Sequence, residues 1–255
     1  MLKRISLLRP IVLFLALALT ACSMGAPAPT ATPTMVPATE TPIPTATATV
    51  IPTDTPTPTA TPDVAATQQA EKLQALLVEL KDNGYIDTTD GSVTQLDDFK
   101  KDWSDIAHYN WWNIRKEVIA DFVLSGHFRW STAGTTNQVS GCGIIFGLQE
   151  NDDFYGVFLD KARIQFTLRR GTYLYSVGVT KGSGRLSFGN PAETDMVLVV
   201  KGQKSFIKVD GKYIEYSLSA DQTSAGGMAY SILTSSAKDY GTHCEMTNMV
   251  LWRPK

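Results

Sequence analysis

Two adjacent tryptophans, Trp111 and Trp112, are the side chains of this sequence best suited to recognising a ligand. They lie in a polar stretch without clear periodicity, where exposed indole rings can stack on the C–H surfaces of a sugar. The alternative is that both rings plug one end of the folded domain. Trp111 and Trp112 are therefore predicted ligand-binding residues, with a structural role as the competing interpretation.

Acid–base and metal chemistry find less support in the sequence. It contains no Gly-x-Ser-x-Gly elbow and no phosphate-binding loop, and its histidines lack metal-ligand spacing. The run Asn151-Asp152-Asp153 offers oxygen ligands for Ca²⁺, but a solvated acidic turn is the favoured interpretation. We expect no bound metal, no cofactor and no catalytic residue in any of these places. The three histidines are His108, His127 and His243.

The N-terminus has the layout of an export signal. Residues 1–9 carry three basic residues and no acidic one, and residues 11–19 are all apolar. A run of this length is too short to span a bilayer, which takes about 20 apolar residues. The sequence therefore predicts a cleaved signal peptide over residues 1–21.

The signal ends in Leu19-Thr20-Ala21-Cys22, which resembles the lipobox of bacterial lipoproteins. That resemblance implies that Cys22 becomes the first mature residue and carries lipid on its thiol. Two or three acyl chains would give a durable anchor. We expect a membrane partner through Cys22 and a location in the cell envelope, facing outside the cytoplasm. An ordinary secretory signal is the alternative.

Residues 22–62 are predicted to form a disordered stalk. Between Ala26 and Pro62 there are ten prolines, thirteen threonines and seven alanines, and no glycine, aromatic or basic residue, so there is nothing to form a core. Loss of the signal peptide lowers the number of basic residues from 23 to 20 against 25 acidic ones. The resulting charge of −5 is not that of a nucleic-acid-binding protein.

The two remaining cysteines suit an exported domain. With Cys22 taken by lipid, Cys142 and Cys244 form an even pair in an oxidising compartment. We predict a disulfide between them. Two free buried thiols are the alternative, because some envelopes are not strongly oxidising.

Residues 63–84 read as a helix with leucines at helical spacing and Gly84 at its C-cap. Residues 85–116 read as an irregular lead-in. From Glu117 the period changes to two, and about ten strand-like runs separated by turn residues continue to Pro254. The predicted fold is all-β: an antiparallel two-sheet jelly-roll sandwich over 117–254, preceded by one α-helix and the disordered Pro/Thr-rich stalk.

Two hairpins can be given a register. Asp210-Gly211 favours a type I′ turn that pairs Ile207 with Ile214 and Lys208 with Tyr213. A turn at Arg170-Gly171 would place Leu168 opposite Tyr173 and Phe166 opposite Tyr175. Both strands then present apolar residues on one face, so Tyr173 and Tyr175 are predicted to be core side chains rather than sugar-stacking platforms.

Four short stretches resemble concanavalin A-like lectin/glucanase jelly rolls, in the form of a glycoside-hydrolase-16-like or 3-keto-disaccharide hydrolase-like domain. The similarity extends from about Glu117 to Pro254. It implies two curved antiparallel sheets that bind carbohydrate on a concave face or its rim. The stretches are Ser140 to Phe146, Asp153 to Val157, Val209 to Lys212 and Tyr240 to Cys244.

Catalysis does not follow from that resemblance. The resemblance implies that a retaining glycosidase of this family would carry the motif Glu-x-Asp-x-x-Glu on one strand. Alternate residues of a strand point the same way, which sets the two carboxyl groups about 5 Å apart. Here Glu193-Thr194-Asp195 is followed by Leu198 where the last glutamate belongs, and Glu150-Asn151-Asp152 fits no better.

The sequence therefore favours a tethered, non-catalytic module that binds carbohydrate or another envelope component. One alternative is a glycoside hydrolase acting on a glucan or keto-disaccharide. The other is a purely structural envelope protein that binds another protein.

Overall fold

A computed structural model describes residues 64–106, 108–134, 140–160, 163–179 and 189–255. The predicted signal peptide, Cys22 and the stalk lie outside these residues. The described residues form one helix and thirteen strands. They are α1 (Val64–Asp82), β1 (Gly91–Gln95), β2 (Phe99–Trp103), β3 (His108–Ile119), β4 (Phe122–Thr132), β5 (Gly141–Leu148), β6 (Phe154–Asp160), β7 (Ile164–Arg170), β8 (Tyr173–Val179), β9 (Ala192–Lys201), β10 (Lys204–Val209), β11 (Lys212–Ser217), β12 (Gly226–Thr234) and β13 (Thr242–Pro254).

The strands form two antiparallel sheets. Sheet I has the order β1-β13-β4-β9-β10-β11, with β2 also paired to β13, and sheet II has the order β3-β12-β5-β6-β7-β8. Strands distant in sequence lie side by side in both sheets, as in a jelly roll. The predicted all-β jelly-roll sandwich with one helix is confirmed.

The main core lies between the two sheets. Along β4, Phe122, Leu124 and Phe128 are buried in this core, because alternate residues of a strand point to the same face. The predicted disulfide is present: Cys142 of β5 is bonded to Cys244 of β13, with a Cα–Cα distance of 5.6 Å. The bridge therefore joins sheet II to sheet I through the core.

Helix α1 covers part of the outer face of sheet I. Leu77 and Leu80 pack with Val123, Phe206 and Trp252 in a second buried cluster. Burying one leucine side chain contributes about 2 kcal/mol, which is more than the helix propensity of any residue provides. Packing therefore holds α1 in place more than its intrinsic propensity does.

The end of α1 is fixed by its backbone and by an ion pair. Gly84 has a φ of +74°, and the N–H groups of Gly84 and Tyr85 donate to the carbonyls of Lys81 and Leu80 at 2.9 Å each, which is a Schellman motif. One turn earlier, the Glu79 carboxylate accepts hydrogen bonds from Lys208 Nζ at 2.6 Å and from the Tyr213 hydroxyl at 2.7 Å. The last turn of the helix is thereby bonded to β10 and β11.

The expectation of an irregular lead-in over 85–116 is wrong. β1 and β2 pair with the two halves of β13, and β3 pairs with β12. These strands escaped the sequence pattern because they lie at sheet edges, where the outward positions are exposed and polar, as in Lys100-Lys101-Asp102 of β2. The sheets therefore begin at Gly91, not near Glu117.

The two predicted hairpins differ in outcome. Ile207 pairs with Ile214 and Lys208 with Tyr213, and Asp210 and Gly211 have φ angles of +50° and +70°, so the type I′ turn is confirmed. In the other hairpin the register is displaced by two residues, because Arg170 pairs with Tyr173.

The prediction that Tyr173 and Tyr175 are core residues is wrong: their exposed fractions are 68% and 48%. Both side chains are on the predicted face of β8, but β8 is the last strand of sheet II. The last strand of sheet I, β11, packs over β7 instead, where Tyr216 stacks on Phe166 with ring centroids 4.6 Å apart. The two tyrosines thus project beyond the core.

Candidate functional site

The two tryptophans predicted to bind a ligand lie on opposite faces of β3. Trp112 faces the interior, where it packs against the main core and its ring centroid is 5.2 Å from that of Phe99. Trp111 points to the outer face of sheet II. The structure therefore separates the pair, and of the two only Trp111 lies on an outer sheet face.

Trp111 belongs to a group of three rings that we call the aromatic face: Tyr109, Trp111 and Phe154. The Trp111 centroid is 5.8 Å from those of both other rings, and Tyr109 and Phe154 are 5.7 Å apart. Phe154 is buried, while Tyr109 and Trp111 are half-buried. Parts of two adjacent rings are thus open to solvent above a buried third ring.

Small residues form the floor beside these rings. Trp111 pairs across the strands with Ser231 of β12, whose hydroxyl donates to the Asn110 carbonyl at 2.7 Å. Ala229, two residues away on the same face, is buried against Phe154. Side chains this short leave the upper parts of the large rings standing above the sheet.

A cation and a carboxylate lie at the rim of the aromatic face. The Arg169 guanidinium carbon is 5.7 Å from the Trp111 centroid and 5.9 Å from that of Phe154. Its Nη1 donates to the Asp152 carbonyl at 2.5 Å and lies 3.6 Å from Asp152 Oδ2. The site thus combines ring surface with fixed hydrogen-bonding groups.

The Tyr109 hydroxyl completes the polar part of the site. Burial raises the pKa of this hydroxyl above its usual value; the charge of Arg169 opposes the rise and that of Asp152 adds to it. The hydroxyl therefore keeps its proton at physiological pH, and Tyr109 can both donate and accept a hydrogen bond.

The acidic turn at 151–153 has a role in the backbone. Asp153 Oδ1 accepts from the Gly171 N–H at 2.6 Å, and its Oδ2 accepts from Asn151 Nδ2 at 3.1 Å. The first bond ties the β5–β6 turn to the β7–β8 turn, and the second braces the β5–β6 turn itself. Among residues that the structure describes, no three His, Cys, Asp or Glu side chains are grouped as metal ligands.

The nearest sequence match to a glycosidase motif lies on the other sheet. Glu193 and Asp195 project from the outer face of β9, whereas Leu198 is buried in the main core. Asp195 Oδ1 is 2.9 Å from His127 Nδ1, and Glu193 Oε2 is 4.0 Å from Arg129 Nε. Both carboxylates are therefore paired with basic side chains, and both line a depression of about 570 Å³ that also includes Lys208 and Asp210.

The third histidine is held between two carboxylates. His243 Nδ1 contacts Asp102, and its Nε2 is 3.1 Å from Glu245 Oε1. Hydrogen bonds from Lys100, then from His243, lower the pKa of Glu245 to about 2. This group is an ion-pair network across β2 and β13.

Of the residues at the aromatic face, only Trp111 is predicted from the sequence to bind a ligand. Tyr109 could have been recognised, since Tyr109 and Trp111 are two residues apart, as strand alternation requires. Phe154 and Arg169 come from β6 and β7, and only the topology of sheet II brings them to β3.

The fold is similar to those of several solved structures, among them binding proteins and enzymes such as alginate lyase A1-II'. The carbohydrate binding module CBM66 from Bacillus subtilis aligns with a TM-score of 0.44 and 11% identity over 63% of this chain and 95% of that one. The VIP36 exoplasmic/lumenal domain, solved with Ca²⁺ and Man3GlcNAc, aligns with a TM-score of 0.42 and 11% identity over 65% of this chain and 84% of that one. Sheep galectin-11, solved with glycerol, aligns with a TM-score of 0.32 and 9% identity over 56% of this chain and 99% of that one.

No protein-family model matches this sequence, and no curated protein matches it. Structural similarities this low concern the fold alone. No helix among the described residues is long and apolar enough to cross a membrane.

Proposed function

We propose that this chain is a lipid-anchored envelope protein whose sandwich domain binds carbohydrate without cleaving it. The observation that carries the proposal is the aromatic face, where half-buried Tyr109 and Trp111 lie beside the Arg169–Asp152 pair. Sugars present both C–H surfaces and hydroxyl groups. A site for them needs ring surface and fixed polar groups together.

Different side chains of the aromatic face and its rim would make the apolar contacts and the hydrogen bonds. The exposed parts of the Tyr109 and Trp111 rings offer apolar surface to the C–H side of a sugar ring. The Arg169 guanidinium, the Tyr109 hydroxyl and the Asp152 carboxylate offer donors and acceptors at the rim. Phe154 beneath and the bond from Arg169 to the Asp152 carbonyl restrict movement, so little ordering is needed on binding.

Among the described residues, three carboxyl groups have clearly shifted pKa values, and none of the three is suited to be the acid of a glycosidase. The pKa values of Glu79, Asp221 and Glu245 are all lowered, mainly by hydrogen bonds from Lys208, Arg170 and Lys100 respectively. A glycosidase needs the opposite, a carboxylic acid whose pKa is raised so that it keeps a proton for the leaving group.

The anchor and the stalk belong to the same proposal. Lipid on Cys22 would hold the mature chain in the membrane. A proline-rich segment of this length, extended at about 3.1 Å per residue, could carry the sandwich domain on the order of 100 Å outwards. The domain could then reach a glycan layer beyond the membrane surface.

A glycan array probed with the full-length protein tests the binding step. We expect a restricted group of glycans to bind, and none of them to release sugar on prolonged incubation. An array without a bound glycan would contradict the proposal. So would cleavage of a bound glycan that is lost on changing one aspartate or glutamate.

A further inference from the structure

A second surface with the same combination of groups lies at the β7–β8 hairpin, away from the aromatic face. Tyr173 pairs with Arg170 and Tyr175 with Leu168, so these four side chains share one face of the hairpin. The residue between Arg170 and Leu168, Arg169, points to the opposite face, where it contacts Trp111.

The two tyrosines form an exposed ring surface, which we call the tyrosine edge. Their centroids are 6.3 Å apart, and the ring planes are inclined by 41°. With exposed fractions of 68% and 48%, they are among the most exposed aromatic side chains of the described residues. The two rings together offer an angled apolar surface with room for two adjoining sugar rings.

A fixed polar group stands next to this surface. Arg170 donates to both carboxylate oxygens of Asp221, at 2.6 and 2.8 Å, and from Nη2 to Ser219 Oγ at 3.2 Å. The loop that carries Asp221 is held in turn by the Tyr155 hydroxyl, which lies 2.9 Å from the Gln222 carbonyl. A two-pronged arginine–carboxylate pair of this kind fixes both side chains.

Gln222 also fixes the arginine of this pair. It is only 8% exposed, and its Oε1 accepts a hydrogen bond from Arg170 Nε at 3.1 Å, so that three neighbouring side chains hold the guanidinium in place.

We propose that the tyrosine edge, together with Arg170 and Asp221, is a second carbohydrate-binding site that takes a neutral oligosaccharide. The rings bind the C–H faces of the sugars, and the Asp221 carboxylate, held by Arg170, accepts a hydrogen bond from a sugar hydroxyl. A neutral ligand suits this surface because the positive charge of Arg170 is matched by the negative charge of Asp221 at 2.6 Å.

The class of ligand rests on the proposed function, but the site uses none of the residues of the aromatic face. The full-length protein, in detergent, is titrated calorimetrically with cellohexaose, laminarihexaose, xylohexaose and mannohexaose. We expect at least one of them to bind. For that sugar, the Tyr173→Ala/Tyr175→Ala double variant and Asp221→Asn should each weaken binding about tenfold or more.

Two controls separate binding from folding. Tyr240→Ala removes another exposed tyrosine outside the site and should leave binding unchanged. The melting temperature of the double variant should stay close to that of the parent, because both rings are exposed. If the double variant does not fold, Tyr173→Ala alone, at the more exposed ring, gives the same comparison.

The outcomes distinguish the two sites. Loss of binding in the tyrosine variants with Trp111→Ala unaffected supports the tyrosine edge and contradicts the aromatic face as the site for that sugar. Loss in Trp111→Ala alone has the opposite meaning and overturns this inference. Failure of all four sugars to bind also overturns it.

Discussion

Trp111 and Trp112 are neighbours in sequence, yet the alternation of β3 gives them different environments. Trp111 lies over Ser231 on the outer face beside Arg169, whereas Trp112 is packed against Phe99 and the main core. The same chemical change at the two positions should therefore separate recognition from stability.

We predict that Trp111→Ala weakens glycan binding by about 1–3 kcal/mol with little change in the melting temperature. Trp112→Ala should instead lower the free energy of unfolding by about 3 kcal/mol, because it removes a ring from the core. Calorimetric titration and a thermal scan on both variants measure the two effects. Equal loss of stability at both positions would show that Trp111 is also a packing residue.

Glu245 should make the free energy of unfolding depend on pH. Its folded pKa of about 2 is below the usual 4.5, so its ion pairs add stability that is fully present above pH 4.5 and is lost as the pH falls towards 2. The Glu245 side chain is 19% exposed, so screening limits this contribution to on the order of 1 kcal/mol.

Urea unfolding of the parent and of Glu245→Gln across this pH range measures the effect. The difference between them should shrink as the pH falls to 2, where protonated glutamic acid resembles glutamine, and it should shrink in high salt. A difference that is constant with pH would show that Glu245 contributes through packing rather than charge.

At the scale of elements, the disulfide links β5 to β13 and thus one sheet to the other. The cysteines are 102 residues apart, and closing a loop of this length stabilises the folded state by about 4–5 kcal/mol in the chain-entropy model. We predict a loss of this order in the Cys142→Ser/Cys244→Ser double variant, measured by denaturant unfolding.

Both sulfur atoms are in fully buried residues, so reductant should act only after the sandwich opens. Intact mass after alkylation, with and without denaturant, gives the state of the bridge. Two alkylated thiols in exported protein that has not been reduced would show that the bridge is not formed there.

Local chemistry predicted some elements well and others poorly. The Asp210-Gly211 hairpin was predictable because two adjacent residues with positive φ decide the turn. The β7–β8 register was not, because the Gly171 N–H is bound by Asp153 from another turn. A contact between distant parts of the chain therefore set the turn one residue later.

The exposure of Tyr173 and Tyr175 shows why the burial of a side chain is harder to predict from sequence than the face it occupies. Their alternation was correct, but whether a strand face is covered depends on where the opposite sheet ends. That end is set by how β11 packs over β7, and the sequence of β8 contains no trace of it. The aromatic face was hidden for the same reason, since Phe154 and Arg169 lie far from Trp111 along the chain.

At the scale of the whole molecule, the lipid anchor makes a separate prediction. Cys22→Ser should abolish labelling by a fatty-acid analogue and move the protein from the membrane fraction to the soluble one, because the Cys22 thiol is the proposed site of acylation. The Cys142→Ser/Cys244→Ser variant is the matched control and should keep both properties. Labelling that persists in Cys22→Ser would rule out this cysteine as the anchor.

The bond between Cys142 and Cys244 also determines how the domain responds to force. When Val64 and the C-terminus are pulled apart, α1 and β1 to β4 lie on the N-terminal side of the bridge and can be extended. At Cys142 the covalent bridge passes the load directly to β13, so the chain between the two cysteines cannot be drawn out. Under tension, the segment closed by the bridge, whose ends are 102 positions apart, therefore contributes nothing to the extension of the chain.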